Sequence, residues 1–551
     1  GWSHDEEREE EDLGGLEDQP TPHSLATSWP VLFAATISSL TAATLGYDVG
    51  IMADAIELIE DSFDLDHLKA QVIVGSLNFI AAFGTLIAGQ TSDIFGRKST
   101  VALCCVLYIV GTALMAFAPT YLVLVLGRIV TGLGVGVAFV VTPVYITEIT
   151  PSEVRGMLTT CFDVSINLGI LFGYITGFVI TVTDMSSEAK WRTMLGLGGV
   201  IPLIVAAALS KLPESPRWLM TRGKEDEASA VLLEFLGDEE VTQSTITDIR
   251  SAIEQENACK SLSWQEFFFP KESYLRKITL LVIGLGFWQQ ATGSEAVLYY
   301  SATFLKNAGL DSMRKRLLGY IGVGLCKLIP EVMVMCIVDK FGRRPLLVLS
   351  SIGVTITIFS LAVTFVFDRG EVDDDDAVVL NASNTDPPHG RLLAAADGSI
   401  PSSTSSVLVV LLLCFYMCLF SFGMGPVTWL TASESMPLRQ RAKGMTSCCF
   451  VNRLVSGIVA LTTLSTCDAL GGPSGFFFFY GSVSVVGTMW YMRYVPETMG
   501  KSLEAITAEN KAMHAGEEGD QEPAEVVAPW FSTITGSSPK TDMGEGEGTE
   551  W

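Results

Sequence analysis

SDIFGRK, residues 92–98, returns 246 residues later as VDKFGRR, residues 338–344. Each copy sits between two long apolar runs. Asp-x-x-Gly-Arg-basic in that setting reads as a tight turn between helices. Gly96 and Gly342 can take left-handed backbone angles. Asp93 and Asp339 can accept hydrogen bonds from nearby arginines or helix N-termini. Two further pairs keep the same order. Glu148 and Arg155 are seven apart, as are Glu434 and Arg441. PESPR (213–217) parallels PETMG (496–500). The second pair is offset by 286 residues (148 to 434), and the extra 40 fit a long connection found only in the second half. Three paired motifs in matching places make the chain an internal duplication.

The apolar runs say what is duplicated. Of 551 residues, 49% are hydrophobic and only 17% charged, too few charges for a soluble domain of this size. Residues 29–47, 72–92, 99–127, 129–147, 164–183 and 345–367 contain no charge. A helix needs roughly 20 residues to cross about 30 Å of hydrocarbon. In lipid the backbone must satisfy its own hydrogen bonds, so such runs are helices. The pattern predicts twelve spans: 28–50, 71–92, 99–118, 121–144, 158–182, 191–211, 276–297, 316–338, 345–367, 406–430, 444–466 and 474–494. Ala118-Pro119-Thr120 divides the third from the fourth. Arg97, Lys98, Arg155, Arg217, Arg222, Lys224, Arg343, Arg344, Arg439, Arg441 and Lys443 all fall on one side, which is therefore cytoplasmic.

The expected fold class is an all-α membrane protein of twelve transmembrane helices in two six-helix halves. Its expected parts are an acidic cytoplasmic tail (1–27), a first bundle (28–212), a cytoplasmic helical linker (213–274), a second bundle (275–495) and a cytoplasmic tail (496–551). Within the linker, 223–236 shows helical periodicity. The second bundle carries an acidic extracellular loop, 368–405, whose Asn381-Ala382-Ser383 is a glycosylation sequon, a common tripeptide and weak on its own. The net charge of −26 is concentrated in the tails and that loop, which read as solvated. Anionic tails repel phosphate, so no nucleic-acid partner is expected. Most of the eleven cysteines lie inside apolar runs without a C-x-x-C pair and read as packing residues. The first apolar run follows an acidic tail, which is wrong for a cleavable signal peptide. No nucleotide loop, metal cluster or nucleophile–base constellation suggests an enzyme, and no cofactor is expected.

Asp48 and Arg128 are the charges that stand out, one in the first span and one in the fourth. An intramembrane charge costs about 2.5–3.5 kcal/mol on the insertion scale, and it persists only if paired, hydrated or functional. A static pair that orders the bundle is the plain reading. The functional reading is a switch: paired with Arg128, Asp48 stays ionised; separated from it in a dry setting, it takes a proton. Lys327 and Glu331 are one turn apart in the eighth span and are expected to pair there; no role follows for either.

The motifs together resemble the sugar-porter family of the major facilitator superfamily. The pieces are GYDVG (46–50), DIFGRK (93–98), GRIVTGLGVG (127–136), PVYITEI (143–149), PESPRWL (213–219), GFWQQATG (286–293), DKFGRRPL (339–346), GPVTWLTASE (425–434) and PETMGKSLE (496–504). INLGILFGY (166–174), WRTMLGLG (191–198), VTWLTASESMPLRQRAKG (427–444) and FVNRLVSG (450–457) are most similar to the plant-type polyol/monosaccharide proton symporters. The resemblance spans about residues 29–505. It implies two six-helix bundles around a central cavity near the membrane midplane, working by alternating access. It places Gln289, Gln290, Trp429 and Asn452 at the substrate, with Tyr299 and Tyr300 as an aromatic gate. Asp163 and Glu295 stand where common hexose carriers have amides; carboxylates accept from paired hydroxyls and suit a polyol. The Asp48–Arg128 pair matches the family's proton symporters, whereas uniporters commonly carry Asn for that Asp. Asp93, Arg97, Glu148, Arg155, Glu214, Arg217, Asp339, Arg343, Glu434, Arg441 and Glu497 are expected to form a cytoplasmic ion-pair network between the halves, closed in one state and released in the other.

The leading expectation is proton-coupled uptake of a monosaccharide or polyol. A facilitative uniporter and a non-transporting receptor with the same fold are the alternatives. The expected partners are the sugar or polyol, protons and the lipid bilayer, with a monomer as the functional unit. The plasma membrane is the family default, and plastid and vacuolar membranes are alternatives.

Overall fold

The computed structural model describes residues 29–150, 155–258, 263–307, 313–382 and 403–498. Both acidic tails and residues 383–402 of the expected loop lie outside them, as do the side chains of Arg155, Asp339 and Asn381. Among the described residues every regular element is a helix. The first half runs α1 (Trp29–Phe63), α2 (His67–Phe95), α3 (Arg97–Ala116), α4 (Tyr121–Ile149), α5 (Arg155–Thr181), α6 (Ser187–Leu197) and α7 (Val200–Ala208). Short helices α8 (Pro216–Thr221), α9 (Glu225–Leu236), α10 (Glu239–Ala258) and α11 (Trp264–Phe268) form the linker. The second half runs α12 (Ser273–Ala291), α13 (Ser294–Asn307), α14 (Met313–Phe341), α15 (Arg343–Ala382), α16 (Ser403–Phe422), α17 (Pro426–Ser435), α18 (Leu438–Ala469) and α19 (Pro473–Tyr494). Among the described residues, nine helical stretches are long and apolar enough to cross a membrane. The helices α12, α14 and α19 stand where the seventh, eighth and twelfth spans were expected.

Three expected spans are discontinuous. Gly198 and Gly199 separate α6 from α7. Thr292 and Gly293 separate α12 from α13, with Gly293 at φ 85°. Residues 423–425 separate α16 from α17, and Pro426 opens the new helix at a position where its missing N–H costs nothing. The apolar pattern continues across the first and third gaps, whereas QQATGSE (289–295) interrupts it at the second. Two helices also outrun expectation. The first continues to Phe63, thirteen residues past the expected end at 50, because IELIEDSF (56–63) keeps an apolar face inward while its acids reach outward. The helix expected to stop at 367 continues to Ala382, so Asn381 lies in its last turn rather than in a loop.

Within the first half, α1 packs on α5 backbone to backbone: a Cβ on Gly46 would come 1.8 Å from the Ile166 carbonyl oxygen. Small residues allow this approach, which drives helix association in lipid. The halves meet where α2 packs on α18 and α5 on α14. At the end away from the basic motifs they are tied by polar contacts. Gln71 Nε2 donates to Ser465 Oγ at 2.9 Å. Glu57 faces Lys306 at 3.5 Å and Arg316 at 3.4 Å.

Candidate functional site

At the basic end the repeat becomes a three-dimensional motif. Gly96 has φ 92° and Gly342 φ 84°, angles that favour glycine. Each also makes room. A Cβ on Gly96 would lie 2.3 Å from Glu214 Oε2, and one on Gly342 would lie 2.7 Å from Glu497 Oε2. The two glutamates use that room to cap the following helix. Glu214 accepts from the backbone N–H of Arg97 (2.8 Å) and Lys98 (3.1 Å). Glu497 accepts from those of Arg343 (3.0 Å) and Arg344 (3.1 Å). A carboxylate there satisfies orphan donors and complements the helix dipole.

The arginines then reach sideways. Arg97 grips Glu148 with two hydrogen bonds, 2.8 and 2.9 Å, and Arg343 grips Glu434 with two, 3.2 and 2.9 Å. Ser215 Oγ donates to Glu148 at 2.6 Å, and Thr498 Oγ1 donates to Glu434 at 2.5 Å. Asp93 adds an ion pair to Arg97 at 3.3 Å, and Arg217 begins α8 beside this cluster. Among the described residues, Glu148 is thus held by Arg97, 51 residues upstream, and Glu434 by Arg343, and each of these contacts locks together segments of its own half. Arg441 donates to the Met436 carbonyl at 3.4 Å, next to the second cluster.

Midway along the bundle, Arg128 is fully buried and Asp48 is 6% exposed. Arg128 Nη1 donates to Asp48 Oδ2 at 2.5 Å. Its Nε donates to the Ile73 carbonyl at 2.8 Å and its Nη2 to that of Val74 at 3.1 Å. One guanidinium therefore ties α4 to α1 and α2. The planar fork is what makes three simultaneous contacts possible.

Beside this pair a cavity opens between the halves. Its walls include Leu45 and Val49, which flank Asp48 on α1, and Asp163, Asn167, Gln289, Gln290, Glu295, Lys327, Glu331, Trp429 and Arg453. It is a small cavity of 70 Å³. Five of the expected substrate residues, Asp163, Gln289, Gln290, Glu295 and Trp429, line it. The sixth, Asn452, is fully buried behind them and acts as a brace. Its Nδ2 donates to Gln289 Oε1 (2.5 Å) and the Gly286 carbonyl (3.2 Å), and its Oδ1 accepts from Arg453 (2.7 and 3.1 Å). Gln289 in turn gives both amide hydrogens to the carbonyls of Met424 and Gly425, each at 2.8 Å, in the gap between α16 and α17. Gln290 is freer: it accepts from Ser294 at 3.0 Å and reaches Asn452 only at 3.5 Å. Glu295 Oε2 is buried without a hydrogen-bond partner, and Oε1 is 3.9 Å from Arg453. Trp429 meets Phe139 edge to face at 5.3 Å, so one aromatic from each half walls the cavity.

Tyr299 and Tyr300 are buried on α13 beyond the cavity. Tyr299 OH accepts from Asn78 Nδ2 at 3.2 Å, across the halves, and Tyr300 OH donates to the Ala460 carbonyl at 2.9 Å. Tyr300 has non-helical angles, a bend within α13. Lys327 and Glu331 both line the cavity, and the Lys327 charge acts on Glu331. The Lys327 ammonium also sits 5.1 Å over the Phe420 ring, and Glu331 accepts from Asn167 Nδ2 across the halves. Sequence reasoning also passed over Arg453, Asn78 and Asn167. Arg453 carries the same signal as Arg128, a charge inside an apolar helix.

The sequence matches the family model described as "Sugar (and other) transporter" over residues 34–509. It is 35% identical to "Probable polyol transporter 4" of Arabidopsis thaliana over 86% of this chain and 84% of that protein. It is 33% identical to "Probable polyol transporter 3" of the same plant, over 92% and 95%. Among solved structures, the proton:xylose symporter XylE bound to 6-bromo-6-deoxy-D-glucose matches with TM-score 0.68 and 25% identity, over 87% of this chain and 98% of that one. The partially occluded inward-open form of XylE from E. coli matches with the same TM-score at 24% identity, over 86% of this chain and 100% of that one.

Proposed function

The chain belongs to the sugar (and other) transporter family, a multi-pass integral membrane protein with the major facilitator sugar-porter fold, and on that premise we propose that it couples proton entry to uptake of a polyol or monosaccharide. In this reading it spans the bilayer twelve times as a monomer, with the basic clusters and both tails in the cytoplasm, in the plasma membrane. The observation that carries the proposal is the buried Asp48–Arg128 pair one helical turn from cavity-lining residues. A carboxylate held by a guanidinium that also grips two α2 carbonyls has two stable settings. With the pair closed, Asp48 is charged and α1, α2 and α4 are bound together. A proton on Asp48 removes the charge that holds Arg128, and α1 is released to move against α4.

The substrate chemistry follows from the cavity. Asp163 and Glu295 offer acceptors to vicinal hydroxyls, Gln290 offers both donor and acceptor, and Trp429 with Phe139 packs the apolar face of the carbon chain. Two carboxylates as acceptors favour a polyol or cyclitol rich in hydroxyls, in keeping with the polyol-transporter names of the relatives. The two capped clusters are the joints on which each half turns as a rigid body.

The test is flux into proteoliposomes, with and without an inward proton gradient, over a panel of hexoses, pentoses, linear polyols and inositol. Concentrative uptake that needs the gradient supports symport. Equilibration that ignores the gradient selects the uniporter, and binding without flux selects the receptor.

A further inference from the structure

A symporter needs more than two sites; it needs the proton at one to be felt at the other. Asp48 does not itself line the cavity, so something must connect them. We propose that Asn78 and Arg453 form that connection, a polar bridge across the halves that reports the state of the Asp48–Arg128 pair to the glutamines of the sugar site. The inference rests on the symport reading above.

The bridge begins on α2. Arg128 binds the carbonyls of Ile73 and Val74. Asn78, one turn further along the same helix, is fully buried and faces the second half. Arg453 Nη1 donates to Asn78 Oδ1 at 3.4 Å, and Asn78 Nδ2 donates to Tyr299 OH at 3.2 Å. Arg453, on α18, is 6% exposed. It spends its other donors on Asn452 Oδ1, and Asn452 holds Gln289.

The direction of every bond in this chain follows from one fact: a guanidinium only donates. Arg453 therefore forces Asn78 to turn Oδ1 toward it, which leaves Nδ2 for Tyr299. It forces Asn452 to turn Oδ1 toward it as well, which leaves Nδ2 for Gln289. Gln289 must then accept with Oε1 and point its NH₂ at Met424 and Gly425. A shift of α2 relative to α18 breaks the long 3.4 Å link first. Arg453 then loses a partner in a buried site and turns toward Glu295, whose Oε1 is 3.9 Å away. That turn loosens Asn452 and frees Gln289 to use its amide on a ligand. Protonation of Asp48, by releasing Arg128 from α1, is the event that lets α2 shift.

Asn78 is a positioning residue here; it does not line the cavity. Linkage gives the bridge a signature that a merely structural role lacks. If proton and sugar sites are coupled, sugar affinity depends on pH. Calorimetric titration of sorbitol, myo-inositol and xylose into the purified full-length protein is expected to show about ten-fold tighter binding near pH 5.5 than near pH 7.5 for the accepted sugar, within the usual 5–150-fold range of such coupling. Asn78→Ala and, as a variant of matching size, Asn78→Leu are expected to reduce that ratio to about two-fold or less while binding persists. An undiminished ratio in both variants overturns the bridge. A wild-type ratio of one, or no binding of any probe, instead counts against the symport reading.

Amide exchange of the ligand-free protein tests the bridge without a sugar. Asp48→Asn is expected to change exchange both in α2 and around 450–457. In an Asn78→Ala background the same substitution is expected to change α2 alone. An equal change at 450–457 in both backgrounds contradicts the proposal.

Discussion

The two halves of the molecule agree at one level and part company at another. At the basic end they are near copies: Gly96 and Gly342 with positive φ, Glu214 and Glu497 as caps, Arg97–Glu148 and Arg343–Glu434 as two-pronged pairs, Ser215 and Thr498 as the hydroxyls that finish them. At mid-bundle the likeness is gone. The first half holds a closed ion pair, Asp48–Arg128, away from the cavity wall. The second half supplies amides, two carboxylates, Lys327, an indole and Arg453 to the cavity, and the first half adds Asp163 and Asn167. In the proposed mechanism, what is repeated is the joint on which each half moves, and what differs is the chemistry, the proton in the first half and the larger share of the sugar site in the second.

That division can be broken from the second half first. Gln290→Ala is expected to raise KM by about 10- to 100-fold, the loss of one or two hydrogen bonds in a dry site, while uptake that remains is still driven by the proton gradient. Loss of gradient dependence in this variant would merge the two functions. Trp429→Ala removes the aromatic wall and is expected to cost about ten-fold in KM, with Trp429→Phe recovering part of it; initial-rate uptake checks both.

The joints sharpen the comparison because they should respond alike. Lysine cannot make the two-pronged bond, so Arg97→Lys and Arg343→Lys are each expected to slow turnover about three- to ten-fold, at unchanged KM, through the loss of roughly 1 kcal/mol from one charged hydrogen bond. A large effect at one joint and none at the other would show that only one half moves. Gly96→Ala and Gly342→Ala are expected to lower stability by at least about 1–2 kcal/mol each, through forced positive φ and displacement of the capping glutamate, read as matching drops in thermal midpoint.

How much of this was legible beforehand follows the same division. The joints could be read because they repeat, and repetition is visible in one chain. Even so, the repeat does not say which arginine meets Glu148; the fold brings Arg97 to it from a different turn. Asp48 and Arg128 could be read because a charge in an apolar run announces itself. Asn78 could not, because an uncharged amide there is unremarkable until Arg453 is seen to point at it. The gap at 423–425 hid behind continuing hydrophobicity, yet it supplies the carbonyls of Met424 and Gly425 that orient Gln289. Resemblance to a family named five of the cavity residues; it did not reveal that Asn452 braces from behind instead of lining the wall.

The central claim is that the first half's ion pair carries the proton. The most direct measurement is proton entry coupled to sugar entry, followed with a pH-sensitive dye trapped in proteoliposomes, for wild type and Asp48→Asn side by side. The account predicts acidification of the lumen when an accepted sugar is added to wild type, increasing as the outside is made more acidic. For Asp48→Asn it predicts no sugar-dependent proton entry, although labelled sugar still exchanges across the membrane. Sugar-driven acidification that survives in Asp48→Asn would contradict it and move the proton to the carboxylates of the cavity.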